Sequence, residues 1–105
     1  MINSKEVIDL ANAVNYQDGA VVSKEIIKGK TGSVTVFAFD AGQGLSEHTA
    51  PFDALVYITD GQAEIMISGD IFNPKVGDVI VMPANQPHSL KAIDRFKMML
   101  VMIRS

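Results

Sequence analysis

The chain reads as an all-β domain, and three observations predict it. Beyond residue 20 the apolar residues fall in short runs, the runs are rich in Val, Ile, Phe and Thr, and each is closed by Gly, Asp, Asn or Pro. At 105 residues there is room for one hydrophobic core, so a single domain spanning 1–105 is expected.

Taken in order, Asn3 or Ser4 followed by Glu6, and then Val7, Ile8, Leu10, Ala11 and Val14 near three-to-four spacing, predicts a short capped amphipathic helix ending near Asn15. Strands are predicted at Val21–Ile27, Ser33–Phe39, Ala54–Thr59, Gln62–Ser68, Val79–Pro83, Pro87–Ala92 and Phe96–Ile103, so six to eight strands should close a sandwich or barrel. Asp60-Gly61 and Ser68-Gly69-Asp70 each offer a positive backbone angle and predict hairpins. Pro74 presets a turn before Gly77 and the Val79 strand. Gly42-Gln43-Gly44 has no following helix start or Lys-Ser/Thr pair, so it reads as a strand bend before His48 and not as a phosphate loop.

Parity divides the strands into faces. With His48 pointing inward, Ala50, Ala54, Val56 and Ile58 share its face, while Leu55, Tyr57 and Thr59 face the other way. Both sets are largely apolar, and the same holds for Val34–Phe39 and Phe96–Ile103. Strands apolar on both faces are covered on both sides. With 48% hydrophobic residues in so small a domain, this predicts a homodimer pairing its sheets back to back through Val21–Ile27 and Val34–Phe39.

Composition excludes several functions. A net charge of −3 with scattered Lys and Arg gives no footprint for nucleic acid or an anionic membrane surface. Absence of cysteine rules out disulfides, thiolate nucleophiles and Cys-based metal sites. The first residues lack the basic-then-apolar layout of a signal peptide, and no apolar run reaches the ~18–20 residues of a membrane span, so a cytoplasmic protein is expected. No serine has a visible His/Asp set around it, which leaves a hydrolase triad unsupported.

The chemistry therefore rests on the two histidines of the chain, His48 and His88. The first lies in Gly42-x5-His48-x-Ala50-x3-Ala54-x6-Gly61 and the second in Gly77-x5-Pro83-x-Asn85-x2-His88-x3-Ala92. These spacings resemble the paired motifs of the cupin superfamily, G-x5-H-x-H-x3-E-x6-G and G-x5-P-x-G-x2-H-x3-N, in the small single-domain form known as the cupin 2 conserved barrel. The resemblance implies a jelly-roll β-barrel whose mouth holds a ligand or metal, and it implies that His48 and His88 converge there. Asn85 stands at the motif glycine, where asparagine is the next-best residue for a left-handed turn.

In metal-binding cupins the ligands are three histidines and a glutamate, and here two of those positions are Ala50 and Ala54. Two imidazoles satisfy neither a closed tetrahedral site nor a two-histidine, one-carboxylate triad, and Glu47 and Asp53 sit at the wrong parity to complete one. A divalent ion (Fe, Ni, Mn or Zn) at His48 and His88 is expected to be held weakly. The volume left by Ala50 and Ala54 suits a small organic ligand instead, against a wall drawn from Val56, Met82 and Met98, with Phe37, Phe39, Ile58 and Met102 as further candidates. The leading expectation is thus a barrel that binds a small molecule through both imidazoles. The alternatives are a mononuclear metal enzyme, a dioxygenase or isomerase with a non-standard third ligand, and a structural dimer without ligand; the sequence assigns no catalytic residue.

Overall fold

A computed structural model describes residues 2–104. It is nearly all β, with nine strands among the described residues: β1 (Val21–Gly29), β2 (Gly32–Phe39), β3 (Gly44–His48), β4 (Asp53–Gly61), β5 (Glu64–Ile67), β6 (Asp70–Phe72), β7 (Val79–Met82), β8 (His88–Lys91) and β9 (Phe96–Ile103). They form two antiparallel sheets, a five-stranded one ordered β1-β2-β9-β4-β7 and a four-stranded one ordered β3-β8-β5-β6. The sheets face each other as a jelly-roll barrel, as expected. Two strands lie outside the expected set: β3, which follows the Gly42-Gln43-Gly44 bend with only Leu45 as an apolar signal, and β6, which is only three residues long.

The expected N-terminal helix is absent. The segment contains one 3₁₀ turn, Leu10–Asn12, and Lys5 sits at a φ of 63°, which breaks any helical run from Asn3. A helix this short is marginal in water, and docking decides its shape. Leu10, Ala13, Val14 and Tyr16 instead pack onto Val36, Ala38 and Met99 on the outer face of the five-stranded sheet.

A second correction concerns Asp60-Gly61. Gly61 has the positive φ that was expected, 70°, yet β4 and β5 are not paired. The chain leaves the five-stranded sheet at this corner and enters the other. A Cβ on Gly61 would lie 2.2 Å from the Arg95 carbonyl oxygen, so close backbone approach as well as dihedral angle demands glycine. Ser68-Gly69 does form the expected two-residue hairpin between β5 and β6, both residues having positive φ.

Parity set the faces correctly. On β4, Ala54, Val56 and Ile58 are buried and alternate with half-buried Leu55 and Tyr57. Register then stacks the inner face in rows across neighbouring strands: Met82–Ala54–Met102, Ile80–Val56–Leu100, and Ile58–Met98–Phe37. One end of the barrel is closed by Phe39 and Phe96, whose rings stack at 4.4 Å, together with Ala63, Ile65 and Ala92. The other end stays open at the Met82–Ala54–Met102 row.

Candidate functional site

The open end carries both histidines. His48 on β3 and His88 on β8 are direct cross-strand partners, as are Leu45 and Leu90. From Leu45 to His48 is three positions and from His88 to Leu90 only two, so a regular ladder would send His48 and Leu45 to opposite faces. The register break between them supplies the extra residue and keeps both aimed into the barrel. The expected convergence of the imidazoles across forty positions is found, with the Nε2 atoms 3.1 Å apart.

Each ring is held by its own chain. The Nδ1–H of His48 donates to the Ser46 carbonyl at 2.8 Å, and that of His88 to the Gln86 carbonyl at 3.2 Å. A carbonyl oxygen can only accept, so both Nδ1 atoms carry hydrogen, and in neutral rings both Nε2 atoms are bare acceptors. Two lone pairs therefore converge on one point, which must be filled by a positive or hydrogen-donating centre. A third proton would serve. Burial and then the neighbouring His48 push His88 below the usual histidine value, against the raising effect of the Gln86 carbonyl. His88 is buried while His48 is exposed at the mouth.

Behind the imidazoles lies a cavity of about 180 Å³ lined by Leu45, Ala50, Phe52, Ala54, Met82, Leu90, Met98, Leu100 and Met102 as well as the two histidines. Of the wall residues expected from sequence, Ala50, Ala54, Met82, Met98 and Met102 are here. Val56 is not: it is fully buried in the core, as are Phe39 and Ile58, although its cross-strand partner Leu100 does line the cavity. Phe37 packs against that core without lining the cavity. Parity gives the face a side chain looks toward and not which neighbours cover it there. Leu45, Phe52, Leu90 and Leu100 were missed. Leu90 and Leu100 were legible by parity from His88 and Met98, whereas Phe52 sits between strands and gave no periodic signal.

The loop facing the site is pinned at Asn85, whose φ is 64° as its motif position requires and whose N–H donates to the Ala50 carbonyl at 2.8 Å. The nearby carboxylates do not help a metal. Asp53 accepts from the Ala84 N–H at 2.9 Å, and Glu47 is exposed. Among the described residues no three His, Cys, Asp or Glu side chains gather where they could hold an ion. The imidazoles fit two positions of the divalent site that the motifs imply, and methyl groups occupy the other two, so this donor set does not fit that ion.

Among the described residues no helix is long and apolar enough to cross a membrane. No curated protein matches the chain. Solved structures do. A conserved protein of unknown function from Streptococcus pyogenes is 36% identical with a TM-score of 0.93, over 99% of this chain and 91% of that one. A cupin 2 conserved-barrel protein from Leptotrichia buccalis is 37% identical with a TM-score of 0.89, over 92% of this chain but only 47% of that one. A cupin superfamily protein from Desulfitobacterium hafniense shares the fold at 23% identity, with a TM-score of 0.92 over 99% of this chain and 95% of that one. The family model described as the cupin domain matches residues 35–104, which include β3, β8 and both histidines. A two-sheet barrel with paired imidazoles at its open end, the matching family model and these relatives agree: the chain belongs to the cupin domain family.

Proposed function

We propose that this barrel binds a small, mainly apolar weak acid, its head group at His48 and His88 and its body in the cavity behind them. The observation that carries the reading is the pair of Nε2 atoms 3.1 Å apart at the mouth of an otherwise apolar chamber, with both Nδ1 atoms turned to backbone carbonyls. A neutral acid supplies the missing hydrogen, and its conjugate base pairs with the imidazoles once they have taken that hydrogen. Either way one proton is shared among three groups, so carboxylic acids, phenols and enols fit alike. Size follows from volume: a cavity of roughly 150 Å³ accommodates one benzene ring, so a single ring or a short acyl chain fills this one. The metal-enzyme reading needs a third donor, and among the described residues no carboxylate supplies it.

The test is calorimetry of metal-free protein with benzoic acid and phenol, set against methyl benzoate and anisole, which cannot donate. The acids should bind and the capped analogues should not. His48→Ala or His88→Ala should abolish the difference while far-UV circular dichroism stays unchanged. Equal binding of acid and ester, or binding indifferent to both histidines, defeats the reading.

The same proposal includes assembly as a twofold dimer. Register places Ile27, Val34, Val101, Leu55 and Val81 in one unbroken row across all five strands of the larger sheet, on its outer face. Val79 and Val81 are about half exposed, Ile27 and Ile103 more so, and the N-terminal segment packs over the Val36 and Ala38 side of this face. The row contains no charge, so a second copy meets it without like-charge opposition, which makes the same face of another chain the fitting occupant.

A further inference from the structure

Three of the six methionines of this chain, Met82, Met98 and Met102, line the cavity beside the imidazoles. Two of them are placed with particular effect. Met82 on β7 and Met102 on β9 are the direct cross-strand partners of Ala54, one on each side. Where the family motif has a carboxylate, this chain has a methyl group flanked by two thioethers on the same inward face.

Facing sheets lie about 10 Å apart, and an imidazole reaching in from one sheet and a thioether from the other together span that gap. The imidazoles come from the four-stranded sheet and the methionines from the five-stranded one. The Nε2 separation of 3.1 Å also fits two nitrogens bound to one ion: at the usual metal–nitrogen distance of about 2.0–2.1 Å it corresponds to an angle near 100°. Such a bent arrangement leaves coordination positions open toward the cavity. Both Nδ1–H groups already donate to carbonyls, which is how metal-bound histidines are oriented. Carboxylate oxygen suits hard divalent ions, whereas thioether sulfur selects soft ones, cuprous copper above all.

We propose that His48 and His88, with the thioethers of Met82 and Met102, form a binding site for a soft monovalent cation, Cu(I). The site shares its imidazoles with the weak-acid reading and does not depend on it. The donor set is neutral, the walls are apolar, and the Ala54 methyl leaves the space in which sulfur reaches the ion. Met98, two rows deeper than Met102 on the same strand, forms the floor beneath it.

The experiment is anaerobic competition for Cu(I) against a chromophoric cuprous chelator, with zinc and nickel titrations alongside. A second readout is the methyl resonances of ¹³C-methionine-labelled protein on adding Ag(I), a redox-inert soft cation. The expected result is one Cu(I) per chain, preferred over zinc and nickel, with the Met82 and Met102 methyls shifted and those of Met66 and Met99, outside the cavity, unmoved. Met82→Leu and Met102→Leu preserve volume and should leave the fold intact. Each should weaken Cu(I) binding by at least the roughly 10–100-fold that loss of an outer-shell partner costs. His48→Ala should do so as well. Absence of binding, affinity unchanged in the double leucine variant, or a tighter complex with zinc or nickel overturns the proposal. Because the weak-acid test uses metal-free protein and organic probes, either reading can fail while the other stands.

Discussion

At His48 and His88 the orientation of each ring is settled locally, by a carbonyl two residues upstream, while Ala50 and Ala54 decide what those rings can hold. Supplying the missing donors tests that division. Ala50→His together with Ala54→Glu should raise zinc and nickel affinity by about 100-fold or more, since full ligands outweigh the outer-shell contacts whose loss costs 10–100-fold. Calorimetric titration is the check, and unchanged affinity would mean that the two alanines do not face the point where the imidazoles meet. Much of this was legible in the sequence, because His48, His88, Ala50 and Ala54 fall at fixed motif spacings, and Met82 and Met98 follow by parity. Val56 lies outside the cavity because what covers an inward side chain depends on register between strands that are distant in sequence, which no local pattern contains.

Among the elements, the corner from β4 to β5 shows where local signals stop. Asp60-Gly61 and Ser68-Gly69 have the same turn chemistry, yet one joins two sheets and the other a hairpin. Tertiary contact distinguishes them. Gly61→Ala places a Cβ against the Arg95 carbonyl at a φ of 70°, whereas the same change at Gly69, φ 86°, meets no atom within 4 Å. The Gly69 variant should lose about 1–3 kcal/mol for conformation alone, and the Gly61 variant more. Urea unfolding reads this as a lower midpoint at constant slope, and equal losses would refute the corner. The N-terminal segment failed in the opposite sense. Its capping residues and apolar spacing are those of a helix, but Lys5 turns left-handed and the docking of Leu10, Val14 and Tyr16 on the sheet prevails over propensity.

For the whole molecule, two-sided apolar strands were the sequence signal, and the five-residue row from Ile27 to Val81 is its structural form. Sedimentation should give twice the chain mass of 11.3 kDa at micromolar concentration. Val81→Lys, at an already half-exposed position on an edge strand, should give a folded monomer. A monomeric parent protein would remove the dimer from the proposal and leave the barrel's interior chemistry untouched. That interior draws on both layers: the imidazoles hang from the four-stranded sheet together with Leu45 and Leu90, and Ala54, Met82, Met98, Leu100 and Met102 stand on the five-stranded one. On the proposed reading the head group of a guest meets the four-stranded sheet alone, while its tail lies between the two. A small slide or splay of one sheet against the other would then alter the guest length that fits without disturbing either ring, so the proposed selectivity would drift through packing far from the mouth while the polar end stays fixed.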